Sequence, residues 1–410
     1  MKYLKNIEIA ELYKVSPNTV GNWIESAEKK KNSLQLVSEG GRTYILNLAA
    51  NHTLLKDLSL KGKKYKNSKS LKVIYPQPEF YKIFNEEQII DIITDLEVNN
   101  EIDIKYTYFD IGAKSWDDKV NRSVNDEKIK VTVNSTLKLI KLTKDFLDDI
   151  SNKYKNINIV DLGAGNGVPA KPLIEHFLAK KVLKEYIAID YSPDLLKIVE
   201  ANIKSWFGND LKSKYYQRDF NFNSLRKLLF ENAASEDTIN ILLFLGTTIE
   251  NQRQYTLPLN NIRNSMGQND VLIIGHRLDS QSARQEINFN INNKQLRNVD
   301  LDQLSLILKL LNISEEYYNI ERYYVKRHKS RIIATKLKYD LRIEIKTDNF
   351  TKILYLSNKT KIIIFRHNHH SFREVIDILD NNGFDPINAI EDLEYEQIFA
   401  FAKLKKNNRT

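Results

Sequence analysis

From about residue 79 onward, two kinds of apolar pattern alternate along the chain. Short runs predict strands at Ile157–Asp161, Tyr186–Asp190, Tyr215–Asp219, Ile239–Leu245 and Asp270–Gly275. Longer stretches with helical spacing predict helices over Glu86–Leu96, Val133–Ile150 and Leu173–Val182. Ser192-Pro193 supplies a cap and a first-turn proline for a further helix reaching Trp206. Ile239–Leu245 is apolar but for Asn240, as expected for the centre of a parallel sheet. The alternation therefore predicts a doubly wound α/β sheet with a ligand at the carboxyl ends of its strands. Residues 276–340 are mixed and polar, and are expected to form a helical insertion. Leu341–Ile345, Ile353–Leu356 and Lys361–Phe365 follow as strands, then a helix over Phe372–Asn381 closed by Asn382-Gly383, and a last strand at Ile398–Leu404. A β-containing block so late in such a sheet suits a lid over a substrate.

The first fifty residues carry a different pattern. Ile7–Tyr13 reads as a short helix with Ile9, Leu12 and Tyr13 as its core face. Lys14-Val15 is a turn, and Ser16-Pro17 opens a second helix reaching about Lys29. Val20, Trp23 and Ile24 would face inward, and Asn18, Thr19 and Asn22 outward. Leu34–Val37 and Thr43–Leu46 flank Ser38-Glu39-Gly40-Gly41-Arg42, a hairpin with a Gly-Gly turn. This arrangement resembles the winged helix-turn-helix of the MerR and excisionase type. The resemblance implies DNA binding, with Asn18, Thr19 and Asn22 at base edges, Arg42 and Lys29–Lys31 at phosphates, and a homodimer to reach two half-sites. The lysine-rich run Lys61–Lys72 reads as a linker. The expected organisation is a winged helix-turn-helix over 1–58, a basic linker over 59–76, and a second domain over 77–410.

Charge supports that division. Residues 1–72 hold 14 Lys and Arg against 6 Asp and Glu, a net of +8 out of +9 for the whole chain. Excess positive charge confined to one segment points to an acidic or nucleic-acid partner there. With no Cys, disulfides, thiolate nucleophiles and Cys-based metal sites are excluded. No apolar run approaches 18 residues, and Met1–Asn6 has no apolar secretory core, so a cytoplasmic protein without a membrane span is expected.

The chemistry is concentrated at Ile159-Val160-Asp161-Leu162-Gly163-Ala164-Gly165-Asn166-Gly167. An acid and three alternate glycines close a strand, make a tight turn and open a helix. Asp190 ends the next strand, where a carboxylate can accept from both hydroxyls of a ribose. The spacing lacks the dinucleotide Gly-x-Gly-x-x-Gly and resembles that of S-adenosylmethionine (SAM) methyltransferases. The run Leu242-Leu243-Phe244-Leu245-Gly246-Thr247-Thr248-Ile249-Glu250-Asn251 is more specific. It resembles the Phe-Leu-Gly-Ser-Thr-Ile-Gly-Asn stretch of the histidine-specific, SAM-dependent methyltransferases. Lys105–Gly112, Ala188–Ser192, Arg218-Asp219-Phe220 and Ser371–Phe384 match further segments of that family in order.

The resemblance implies a Rossmann-like, class I methyltransferase fold with a β-containing substrate lid. It implies SAM as cofactor, bound by Asp161, Gly163, Ala164, Gly165, Gly167, Asp190, Tyr191, Asp219, Phe220, Gly246 and Thr247. In detail, Gly163–Gly165 would pass under the methionine moiety and Asp190 would hold the ribose. Asp219 and Phe220 would read the adenine, and Gly246 and Thr247 would border the sulfonium. Asn251 would face the acceptor, with Glu250 as a proton acceptor beside it. The implied acceptor is an amino acid or related small-molecule amine. Three stretches depart from the family, the first being Gly275-His276-Arg277 where the family has Gly-x-Asp after the fifth strand. Asn121–Glu127 lacks the tyrosines found there, and Ile364–Ser371 lacks the Glu and Ser that read an imidazole. His367, His369 and His370 would be split across two strand faces, so no metal site is expected and surface or lid positions suit them. Two rival functions stay open: a SAM- or ligand-sensing transcription regulator without catalysis, and a nucleic-acid-directed methyltransferase. Against the latter, no Asn/Asp-Pro-Pro-Tyr/Trp motif occurs.

Overall fold

A computed structural model describes residues 3–13, 15–29, 34–39, 42–48, 50–52, 54–55, 71–125, 132–232, 237–246, 248–279, 298–394 and 396–406. The chain divides into two compact units, Met1–Val73 and Ile74–Thr410. Among the described residues, no helix is long and apolar enough to cross a membrane.

In the first unit, helices Asn6–Tyr13 and Pro17–Glu28 pack with a small antiparallel sheet. Its strands are ordered Tyr3–Leu4, Arg42–Leu46, Leu36–Glu39. Ser16 is extended and its hydroxyl accepts from Thr19 N at 3.1 Å, a helix cap with Pro17 in the first turn. Ile9, Val20, Ile24, Leu34, Ile45 and Leu55 form the core. Trp23 packs against it only partly buried. Leu12 does not join it and is 60% exposed. Ile9, Ala10 and Tyr13 centre the inward face, which puts Leu12 roughly 100° away around so short a helix. The Gly40-Gly41 turn, Lys30, Lys31 and most of the expected linker lie outside the described residues.

The second unit is built on a seven-stranded sheet. Its parallel strands are β1 (Asn156–Leu162), β2 (Leu183–Asp190), β3 (Ser213–Gln217), β4 (Thr238–Phe244) and β5 (Val271–Arg277). Between β5 and the end of the chain come β6 (Tyr318–Val325), β7 (Ser330–Leu337), β8 (Asp340–Lys346), β9 (Thr351–Leu356) and β10 (Lys361–Asn368). The last two strands, β11 (Phe384–Asp392) and β12 (Gln397–Leu404), return to the main sheet. Its order is β11-β12-β5-β4-β1-β2-β3, with β12 antiparallel to both neighbours. The reversal of strand order beside β1 opens a crevice at the carboxyl ends of β1 and β4.

Alternate residues of the central strands feed two cores. Ile157 and Ile159 of β1 join Ile241 and Leu243 of β4 on one face. Val160 and Leu162 join Leu242 and Phe244 on the other. All seven residues of β4 are buried, Thr238 and Asn240 among them. Antiparallel β6, β7 and β10 form a separate sheet, and β8 pairs with β9 as a hairpin. With helix Glu86–Val98 these strands surround a third core.

Several expectations need correction. The helix expected over Val133–Ile150 is two, Thr132–Leu142 and Lys144–Lys153. Thr143 separates them, its hydroxyl donating back to Leu139 O and Ile140 O at 3.0 and 3.1 Å. The stretch 276–340 is not a helical insertion. Its described part holds two short helices, Asn298–Leu304 and Leu306–Leu310, then β6 and β7. β6 is an edge strand with mostly half-exposed residues, so it lacks a continuous apolar run. β11 likewise lacks a continuous apolar run: it is an edge strand broken by Pro386 at a register shift. The helix Phe372–Asn381 stands as expected, with a capping box between Ser371 and Glu374.

The two units give contrasting expectations. Leu243→Ala should cost about 2–5 kcal/mol in urea denaturation, because the side chain is fully buried in the central strand. Leu12→Ser should shift stability by no more than about 0.5 kcal/mol.

Candidate active site

The turn after β1 is held to the end of β2. Gly163 N and Ala164 N both donate to Ile189 O, at 2.8 and 3.2 Å. Gly163, Gly165 and Gly167 have φ of +68°, +56° and +78°, which disfavours any residue with a Cβ. Their surroundings differ. A Cβ on Gly163 would lie 2.9 Å from Thr248 Cγ2. A Cβ on Gly167 would lie 2.7 Å from Val199 Cγ2, on helix Pro193–Phe207 after β2. Gly167 therefore serves helix–strand packing, whereas Gly163 and Gly165 border the crevice.

Asp190 ends β2 with its carboxylate shared between two backbone donors. Oδ1 accepts from Ser192 N at 2.9 Å and Oδ2 from Gly165 N at 3.0 Å. Burial pushes its pKa up to about 6, and these donors oppose the rise. Asp190 is not the cap of the next helix. Ser192 is, accepting from Leu195 N at 3.1 Å. After β3, Asp219 Oδ1 accepts from Asn221 N at 2.9 Å, and Oδ2 pairs with Lys105 Nζ at 3.0 Å. Phe220 meets Phe244 edge-on at 5.2 Å and lies close to Gly163.

These groups line one crevice of about 870 Å³, counting its open mouth. Of the residues expected from sequence, Gly163, Ala164, Gly165, Asp190, Tyr191, Asp219, Phe220, Gly246 and Asn251 line it. Thr247 lies outside the described residues. Gly246 has φ +72° and open space where a Cβ would stand, so its backbone faces the crevice bare. The structure adds Asp103, Lys105, Tyr108, Trp116 and Gln252 to the wall. Lys105 and Tyr108 lie in a segment already marked by its aromatic spacing, and that was the signal available for them.

Three expected residues stand elsewhere. Gly167 packs as described. Asp161 is buried behind the turn, accepting from the Tyr186 hydroxyl at 2.8 Å. Burial pushes its pKa up to about 7, with Tyr186 opposing. Glu250 is fully buried beside the crevice rather than in it. One of its oxygens pairs with His367 Nε2 and the other accepts from Arg277 N. Burial drives the Glu250 pKa up, to about 8, and the His367 pKa down, so it pushes both groups toward their neutral forms. The expectation of plain surface positions for the histidines is also corrected. His367 and His369 are 5% and 0% exposed. A tie to β10 explains this: Asn368 N donates to Glu250 O, and Asn368 Nδ2 to Gln252 O, both at 2.9 Å. The loop after β4 is thus stapled to the strand carrying the histidines. Among the described residues, no group of three or more His, Asp or Glu is arranged to hold a metal ion.

A second cavity of about 800 Å³ adjoins the first. Asp103, Lys105, Asn221, Asn251 and Gln252 line both. Its outer wall is an ion-pair network. Glu101 receives Arg366 Nε at 3.1 Å, Arg366 Nη2 at 2.9 Å and Arg253 Nε at 3.1 Å. Asp95 receives Arg253 Nη2 at 3.2 Å.

In the first unit, Asn18 and Asn22 are exposed. Thr19 is half-buried, its hydroxyl 2.8 Å from that of Ser16, so it serves the cap. The Arg42 side chain lies outside the described residues.

A parallel sheet closed by an antiparallel last pair, with a glycine turn and an acidic strand tip at its switch point, defines an α/β methyltransferase fold. Residues 136–403 match the model of the histidine-specific, SAM-dependent methyltransferases, and the chain belongs to that family. It is a SAM-dependent methyltransferase. The chain is similar to magnesium protoporphyrin IX methyltransferase from Synechocystis PCC 6803 at 10% identity, over 74% of this chain and 98% of that one, with a TM-score of 0.40. It is similar to 1,6-didemethyltoxoflavin-N1-methyltransferase from Burkholderia thailandensis at 11% identity, over 72% and 88%, TM-score 0.35. Protein PH0226 from Pyrococcus horikoshii OT3 matches at 13% identity, over 65% and 91%, TM-score 0.37. No curated protein matches the chain at the sequence level. The residues present fit SAM: the bare Gly163–Gly165 turn, the carboxylate at the strand tip and the open face of Gly246 leave room for a nucleoside joined to an amino acid.

Asp161 gives a pH test. Its folded pKa, about 7, lies above the ordinary 3.8, so the folded state holds a proton that the unfolded chain has lost between those values. Its contribution to stability is present below pH 4 and lost as pH rises to 7. Asp161→Asn should remove that loss, gaining on the wild type by about 2–4 kcal/mol between pH 4 and 8 in denaturant titrations.

Proposed function

We propose that this enzyme N-methylates an amino acid or a related small-molecule amine. The observation that carries the reading is the convergence of Gly163, Asp190, Phe220, Gly246 and Asn251 on one crevice at the switch point of a family-typical sheet. In this reading Gly163, Ala164 and Gly165 pass beneath the methionine moiety, and the Asp190 carboxylate accepts from the ribose hydroxyls beside Tyr191. Phe220 packs on the adenine and Asp219 accepts from its amino group. Gly246 and Thr247 border the sulfonium, and Asn251 orients the acceptor. Asp161 and Gly167 act indirectly, by holding the turn in shape. Glu250, buried against His367, positions Asn251 through the staple to β10. SAM supplies an activated methyl group, so the protein's work is to hold a neutral nucleophile in line with it.

The first unit adds a second part to the proposal. Residues 1–58 act as a winged helix-turn-helix, followed by a basic linker over 59–76 and the methyltransferase over 77–410. A capped second helix with Asn18 and Asn22 outward, in a segment of net charge +8, supports DNA binding by paired copies in the cytoplasm. Thr19 and Arg42 complete the proposed contact set.

Two measurements test these parts. Asp190→Ala should weaken SAM binding about 10- to 100-fold by titration calorimetry, through the loss of charge-assisted hydrogen bonds. It should also abolish transfer of label from radioactive SAM to the small-molecule fraction of a host extract. Wild-type protein that binds SAM and labels nothing would leave a sensing regulator as the reading. For the first unit, affinity for a random DNA duplex should fall steeply with salt, and Arg42→Ala should lower the slope of log K against log salt by about 1.

A further inference from the structure

Where the two cavities meet, the cations of the wall are already held. Lys105 Nζ lies 2.9 Å from Asp91 and 3.0 Å from Asp219. Arg253 is held by Asp95 and Glu101, and Arg366 by Glu101. Five carboxylates, Asp91, Asp95, Glu101, Asp103 and Asp219, thus surround three cations at this junction. Asp103 is the one less engaged. Its Oδ1 caps the turn Ile104–Tyr108 by accepting from Lys105 N at 3.0 Å, which fixes the side chain. Among the described residues its Oδ2 takes no hydrogen bond, and Lys105 Nζ, at 3.9 Å, is its ion-pair neighbour. Both Asp103 and Asn251 line both cavities.

We infer that Asp103 is a catalytic residue: the acceptor enters the second cavity as an ammonium, meets the free oxygen of Asp103 at the junction, and gives up its proton there. This rests on the amine-methyltransferase reading and names the acceptor's class, a polar amine that is cationic when it binds. The excess of negative charge attracts such a cation and disfavours an anionic or purely apolar acceptor. An ammonium has no lone pair, so it must lose a proton before it can attack carbon. The step balances. The N–H bond breaks and Asp103 becomes the carboxylic acid. The freed amine attacks the methyl carbon of SAM, a C–N bond forms, and the C–S pair leaves on sulfur as the neutral thioether. The methylated product departs as an ammonium, and Asp103 returns its proton to water.

The surroundings suit that role. Burial pushes the Asp103 pKa up to about 6, and Lys105 opposes the rise. Its side chain is 34% exposed, so it stays reachable from the cavities while being a stronger base than a fully solvated carboxylate. The charged and titratable groups facing it come from several elements. Lys105 and Tyr108 lie on its own turn, and Asp91 and Asp95 on helix Glu86–Val98. Asp219 follows β3 and Arg253 follows β4.

The test compares wild type, Asp103→Asn and Asp103→Glu in the intact chain. Each is given radiolabelled SAM with a pool of the twenty amino acids or a pool of aliphatic amines, from pH 6 to 10. SAM affinity is measured in parallel by calorimetry. Asp103→Asn should lose about 100-fold in kcat/KM at pH 7 while its SAM affinity stays within about threefold of wild type. The deficit should narrow as pH approaches the acceptor's own ammonium pKa, where the amine arrives already neutral. Asp103→Glu should restore much of the rate and the wild-type pH profile. A deficit that does not change with pH, a loss that tracks SAM affinity, or no deficit at all would overturn the role of Asp103 and leave the amine reading intact. Wild-type protein that labels neither pool would overturn both.

Discussion

The backbone hydrogen bonds from Gly163 and Ala164 to Ile189 O bring the end of β1 against the end of β2. Much else in the crevice depends on that contact. With the turn drawn back, Gly165 N reaches Asp190, and the carboxylate is aimed before any ligand arrives. The positive φ angles this requires are open to glycine at little cost and to other residues only with strain. Gly167 then admits Val199 from helix Pro193–Phe207, so the same short segment sets both the crevice and the packing of the layer beside it.

A second constraint lies behind the crevice wall. The loop after β4 carries Gly246 and Asn251, and loops at strand ends are ordinarily the loosest parts of such a sheet. Here the loop is tied to β10 through Asn368 and through the Glu250–His367 pair. Neither member of that pair can hold a net charge cheaply in so buried a place, but hydrogen-bonded to each other the two can be buried. A polar group that looks catalytic in isolation thus has a structural duty. The carboxylate proposed to take the acceptor's proton stands instead at Asp103, the cap of the turn Ile104–Tyr108.

The strands β1, β2, β4 and β5 were legible because strands buried on both faces are rich in apolar residues. The edge strands β6 and β11 were not, since an edge strand tolerates polar residues and leaves no apolar run. Gly163, Asp190, Asp219 and Asn251 were legible as wall residues through spacing within short segments. Glu250, Asp161 and the histidines were misplaced, because a one-residue step along a loop or strand turns a side chain from cavity to core, and spacing does not record which.

What the sequence alone determined is what local rules govern: the glycine turn with its required φ, the Ser16, Ser192 and Ser371 caps, the central strands, and the concentration of positive charge in the first 72 residues. Tertiary structure alone decided the acceptor side of the crevice. Lys105 meets Asp219 across 114 positions of chain, and Arg366 meets Glu101 across 265. Ion pairs of that kind form where folding happens to bring opposite charges into one poorly solvated place. No periodicity or spacing within either segment carries that information, because the partner that fixes each side chain lies on an element with its own independent pattern.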